Sequence, residues 1–151
     1  MTNWEDALAP CNKCVIPCIT VILSNVDVSK KDRLIETLRQ RQVPFALFNM
    51  LGYTAIESCN FAVAFDMSDA VITIDPPKDK VREAVGFVFD VLRNAGLDPR
   101  VAVDEVVNEF KGFPIKIVDG KITSSVTTYR EMANKVREWF RELSAMLGEH
   151  R

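Results

Sequence analysis

The stretch FAVAFDMSDAVITIDPPKDK, residues 61–80, decides the fold class. Phe61, Val63 and Phe65 fall on one side of an extended chain. After the polar break at Met67, Ser68 and Asp69, Val71, Thr73 and Asp75 alternate with Ile72 and Ile74. Period two on both sides of a short polar break predicts a β-hairpin over 61–75. Asp75 then precedes Pro76 and Pro77. A carboxylate cap with proline in the first turn predicts a helix from about residue 77 to 95, stopped by Gly96. The middle of that helix, Val85 to Phe89 with Val91 and Leu92, is apolar on most sides. Such a helix needs cover from its own sheet and from a second surface.

Toward the N-terminus, VIPCITVIL at 15–23 is β-branched and nearly all apolar, the pattern of a strand buried on both faces. Pro17 stands near its start, where a missing N–H is tolerated. Ser29 with Asp32 has capping-box spacing and opens a second helix. Leu34, Ile35 and Leu38 form its apolar stripe. Lys30, Lys31, Arg33, Arg39 and Arg41 form its solvated side. Pro44 keeps helix from extending past 42 and begins a strand over 43–49. Residues 51–60 are read as a connection around Gly52, with room for a helical turn. At the N-terminus, Thr2 and Glu5 cap a turn or two that Pro10 ends.

Toward the C-terminus, 100–110 reads both ways. Val101, Val103, Val106 and Val107 suit a strand, and Asp104, Glu105 and Glu109 suit a helix. Residues 113–126 are clearer, because Asp119-Gly120 between two apolar runs is the strongest short hairpin signal. Thr128 and Glu131 cap a last helix with apolar positions Tyr129, Met132, Val136, Trp139, Leu143 and Met146, widened by Phe140 and Leu147. Lys80-Val-Arg-Glu83 recurs as Lys135-Val-Arg-Glu138, a four-residue echo best read as coincidence.

These elements predict an α+β fold: a mainly antiparallel sheet with helices packed mostly on one face. The specific expectation is a ferredoxin-like β-α-β-β-α-β core over 15–107, extended by a hairpin and helix over 113–147. Residues 1–14 form an arm that carries a cysteine pair, and the whole of 1–151 is read as one domain.

Composition narrows function. The 19 basic and 21 acidic residues leave a net charge of −2, which argues against a large nucleic-acid or anionic-lipid footprint. The longest apolar run, 14–23, is half the length of a membrane helix and holds Pro17 and Thr20. The first six residues are acidic rather than basic, unlike a signal peptide, so a cytoplasmic protein without membrane contact is expected.

Cysteine supplies the sharpest chemical clue. Cys11, Cys14 and Cys18 read C-x2-C-x3-C, with Cys59 far along the chain. A C-x2-C pair grips one ion from a tight turn, and Lys13 favours thiolate. Against metal, no glycine follows the pair, no second pair exists, and Cys18 falls in an apolar strand. The readings are buried thiols, a disulfide such as Cys18–Cys59 between neighbouring strands, or a zinc or redox site. No cofactor is expected, zinc being the one alternative.

Other constellations are sparse. The single histidine, His150, is next to last, so no histidine-based triad arises. The six glycines are isolated and form no phosphate loop. Asp66 with Asp69, and Asp104 with Glu105 and Glu109, read as turn and solvated face. Lys30, Lys31, Arg33, Arg39 and Arg41 are the candidate phosphate contacts of a nucleic-acid reading, with Phe61, Phe65 and Phe113 as stacking rings; nucleic acid is not the expected partner. The main expectation is a non-enzymatic binding or assembly module that self-associates. Its interface candidates are Phe87, Phe89, Met132, Val136, Trp139, Phe140, Leu143 and Met146, a surplus of apolar helix surface that one sheet face does not cover. A different protein partner would serve the same surface. The alternatives are a zinc or thiol-redox domain and, third, a nucleic-acid module.

Overall fold

The computed structural model describes residues 19–50, 53–66, 68–77, 79–110 and 115–123, with isolated positions 137, 138, 141, 142 and 145. Strand β1 is Ile19–Leu23 and helix α1 is Ser29–Gln40. Four strands follow: β2 (Phe45–Met50), β3 (Tyr53–Ser58), β4 (Phe61–Asp66) and β5 (Asp69–Ile74). Helices α2 (Val81–Asn94) and α3 (Val103–Phe110) precede β6 (Ile115–Val118) and β7 (Lys121–Thr123). The strands form one mixed sheet in the order β2-β3-β4-β5-β1-β6-β7. Every neighbouring pair is antiparallel except β1 with β6, which run parallel.

The α+β class holds, and the sheet has seven strands, more than a ferredoxin-like core plus a hairpin supplies. Within 19–110 the order is β-α-β-β-β-β-α-α rather than β-α-β-β-α-β. The strand over 43–49 and the two arms of the 61–75 hairpin already exceed the two strands that core allows between its helices, and two local outcomes complete the difference. Residues 53–58, read above as a connection, form β3, because β2 and β4 hydrogen-bond it on both edges. Residues 103–110 fold as α3, with the carboxylates outward and Val106 and Phe110 buried.

The hairpin of 61–75 forms as expected, with Asp66 opposite Asp69 across a two-residue loop. So does the Asp119-Gly120 hairpin. Both turn residues have positive φ, 47° and 86°, the type I′ geometry that matches strand twist. α2 begins at Val81, later than expected, because Pro76 and Pro77 complete a turn first. Its end is as expected. Gly96 (φ 81°) donates its N–H to Arg93 O, and Leu97 N–H donates to Leu92 O, a Schellman closure that needs glycine's left-handed freedom.

Strand register divides the sheet into two faces. On the first face, Ile19, Val21, Ile72, Ile74, Val63, Ile115 and Ile117 are completely or almost completely buried. They form one cluster with Leu34 and Leu38 of α1, Val85, Phe89 and Leu92 of α2, and Val106 of α3. α2 lies between α1 and α3 and contacts both. That explains why its sequence is apolar on most sides: the second cover is its two neighbouring helices. The three helices thus share one face.

The second face is different. Glu57, Ala62, Thr73, Thr20 and Lys116 stand side by side across it. Thr20 and Thr73 are 0% and 3% exposed, so this face is covered too. Arg137, whose residue is helical, pairs with Asp75 at 2.5 Å just beyond β5. Asp75 therefore serves an ion pair rather than the expected cap of α2. Among the described residues no helix is long and apolar enough to cross a membrane.

Candidate functional site

The end of the sheet where β1 and β6 finish side by side carries a cleft of about 500 Å³. Three segments line it: Leu23 to Asp27 with Lys30, Gly96 to Asp98 with Arg100, and Asp119. Topology opens it. After β1 the chain leaves through α1 to the far edge of the sheet; after β6 it turns the other way into β7. Connections that diverge from the carboxyl ends of adjacent parallel strands leave a crevice between them, the usual ligand position in open sheets with parallel strands.

Aspartates build its walls. Asp119 Oδ1 accepts the Ser24 N–H at 3.0 Å, while Asp119 N–H donates to Ile22 O at 3.1 Å. These two bonds lock the β6–β7 turn to the exit of β1. Asp27 Oδ1 accepts the Ser29 N–H at 3.0 Å, so Asp27 caps α1 and the expected Ser29–Asp32 box does not form. That bond, then one from the Ser29 side chain and last the nearby Lys30 charge, hold the Asp27 carboxyl below its ordinary pKa. Asp98 Oδ1 accepts the Arg100 N–H at 2.9 Å and lies 3.6 Å from Arg93 Nε. Each aspartate thus has one oxygen committed to shaping the loop.

Backbone geometry concentrates here as well. Among the described residues four non-glycine positions have positive φ, and three of them line the cleft: Asn25 (58°), Arg100 (58°) and Asp119 (47°). Sparsely populated backbone of this kind gathers at functional sites, where surrounding structure holds it.

Two cations meet over Gly96. A Cβ built there would stand 2.6 Å from Lys30 Nζ and 2.7 Å from Arg33 Nη1. Both groups therefore lie within about 5 Å of each other, where like charges repel. Arg33 Nη2 donates to Asn94 O at 3.3 Å, a cation at the negative end of α2. Lys30 is half-buried and faces the cleft.

The residues singled out by sequence are distributed as follows. Lys30 and Arg33 converge; Lys31, Arg39 and Arg41 do not line the cleft. Phe89 is fully buried in the chain's own core, which removes it from any interface, whereas Phe87 is 39% exposed. Met132, Val136, Trp139, Phe140, Leu143 and Met146 lie outside the described residues, as do Cys11, Cys14, Cys18, Phe113 and His150. Cys59 is half-buried between β3 and β4. The expected Cys18–Cys59 pairing involves a residue outside the described ones. Phe61 and Phe65 are core residues and offer no stacking surface. Asp104 pairs with Arg82 on the exposed side of α2 and α3. Among the described residues no group of three or more histidine, cysteine, aspartate or glutamate side chains could hold a metal ion.

The cleft itself went unpredicted, though part of its signal was present. Asp27-x-Ser29 and Asp98-x-Arg100 have the two-residue spacing at which an aspartate closes a turn on its own backbone. Comparison with known protein families, with curated proteins and with solved structures finds no match to this chain.

Proposed function

We propose that the protein is a non-enzymatic binding module that takes up a small polar ligand in the cleft at the ends of β1 and β6. The observation that carries this reading is the position of the cleft at the one parallel joint of an otherwise antiparallel sheet. Its lining supports it: carboxylates, two cations, a serine and an amide over an apolar floor of Leu23, Val26 and Leu97. A few convergent polar groups on an apolar base are the usual composition of a ligand site. No histidine or cysteine lines it, and the polar groups offer charge and hydrogen bonds rather than a nucleophile held by a base.

Self-association through α2 is not part of this reading. Its apolar sides are taken by the sheet, α1 and α3, and Phe87 remains as a single exposed ring, which is normal on a surface.

The test is ligand-observed NMR with a cocktail of amino acids, monosaccharides, nucleosides, carboxylates and phosphates. At least one class should bind wild type. The variant Ser24→Trp, which fills the cleft from an exposed position, should lose that signal while keeping its melting temperature. Binding that survives the plug, or no binding by any class, would remove the proposal.

A further inference from the structure

We infer that the ligand of this cleft carries an oxyanion, a phosphate or carboxylate group, and that Lys30 and Arg100 receive it. The inference rests on the cleft being a binding site and goes on to name the chemistry of its ligand.

The ion pairs among the described residues are Arg82–Asp104, Arg93–Asp98 and Arg137–Asp75. Lys30, Arg33 and Arg100 belong to none of them, and Lys30 and Arg100 line the same cavity. Lys30 and Arg100 thus bring two cations without an ion pair to one cavity, an arrangement an anionic ligand completes.

The carboxylates around them make no ion pair with Lys30 or Arg100, although the Asp27 charge attracts Lys30. Asp98 is balanced by Arg93. Asp119 is turned to the Ser24 N–H and Asp27 to the Ser29 N–H. Nor does the end of α2 satisfy Lys30. The Schellman bonds of Gly96 and Leu97 use Arg93 O and Leu92 O, and Arg33 takes Asn94 O. Arg33 therefore acts as the cap of α2, and its charge, close beside Lys30, raises the cost of leaving the ammonium without an anion.

Backbone shape prepares the same place. Gly96 lacks a Cβ where Lys30 Nζ would strike one, so the ammonium lies against the cleft wall instead of being pushed into solvent. Arg100 is held in left-handed backbone by the Asp98 bond and packs its Cβ and carbonyl against Gly120. Its guanidinium has no hydrogen bond among the described residues. A planar fork and a point charge on the same cavity suit an oxyanion: the first grips two oxygens, the second adds charge.

Isothermal titration at fixed ionic strength, first with inorganic phosphate and separately with acetate, tests the inference. Saturable phosphate binding is expected, weakened about tenfold in Lys30→Ala and again in Arg100→Ala, as loss of a charge-assisted hydrogen bond implies. Arg39→Ala, at the far end of α1, should leave it unchanged. Acetate bound more tightly with the same dependence would assign the oxyanion as a carboxylate. Binding of either anion that ignores both substitutions would overturn the inference. A neutral polyol that binds and is blocked by Ser24→Trp, with neither oxyanion binding, would overturn it while leaving the cleft a binding site. If no probe binds the cleft, both readings fall.

Discussion

The two sides of β1 are built by different rules. On one side, β5, β4, β3 and β2 follow as an antiparallel meander joined by short turns. On the other, β6 runs parallel, and parallel neighbours need a long crossover, here α1, the meander, α2 and α3. In the meander each strand turns directly into its neighbour. The parallel joint sends its two connections apart, and the cleft with Asn25, Arg100 and Asp119 lies between them. Stability comes from the continuous first-face core that both sides share. The proposed binding site belongs to the joint where chain direction is reused.

The largest expected effect breaks both sides at once. Ile72 is fully buried in β5, opposite Val21 and Val63. Ile72→Ala should cost about 2–5 kcal/mol, the range for emptying a buried aliphatic site, read as a lower denaturant midpoint. A loss below about 1 kcal/mol would mean that the shared core does not hold the molecule together.

A pair of glycines sharpens the contrast. Gly120 combines φ of 86° with a Cβ position 3.1 Å from the Arg100 Cβ. Gly120→Ala should destabilise by about 1–2 kcal/mol through backbone strain, and it should disturb the cleft. Gly86 sits within α2 with open space where a Cβ would go. Gly86→Ala should stabilise by about 0.5–1 kcal/mol, because glycine is the poorer helix former. Equal effects of the two substitutions in thermal melts would contradict the placement of the β6–β7 turn against Arg100.

The smallest effect concerns the second face of the meander. Burial raises the Glu57 pKa above its ordinary 4.5; the Arg137 charge opposes this and Asp75 adds to it. A carboxyl with a raised folded-state pKa is protonated more readily in the native state, so stability falls as pH rises through 4.5 toward the shifted value. Glu57→Gln should flatten the stability profile over that window and leave the protein slightly more stable at neutral pH. A variant whose pH profile matches wild type would show that Glu57 is solvated.

Much of the meander was legible in the sequence, and little of the cleft. The alternation of 61–75 is visible because a half-turn of strand separates one side chain from the next, and Asp119-Gly120 because one turn type demands two left-handed residues. β3 was hidden: Tyr53, Thr54, Ala55, Ile56 and Glu57 mix strand and helix formers, and pairing on both edges decides between them. Residues 100–110 read both ways because they too mix strand and helix formers, and burial of Val106 and Phe110 decides for helix over 103–110. The cleft gathers residues 23–30, 96–100 and 119, segments that share no motif and meet only because β6 pairs with β1. The positive φ of Asn25 and Arg100 has no marker like the glycine beside Asp119. In sequence Lys30 and Arg33 look like solvated surface, and what separates them from Arg39 and Arg41 is Gly96, more than sixty residues away.

The most direct test of the account is amide chemical-shift mapping of wild-type protein against whichever probe of the cocktail binds. The account predicts saturable shifts confined to residues 23–30, 96–100 and 119, with the opposite end of the sheet, at Ser58 to Phe61, unmoved. Shifts centred on the meander turns, or spread evenly over both ends, would contradict the claim that the parallel joint is where this protein binds.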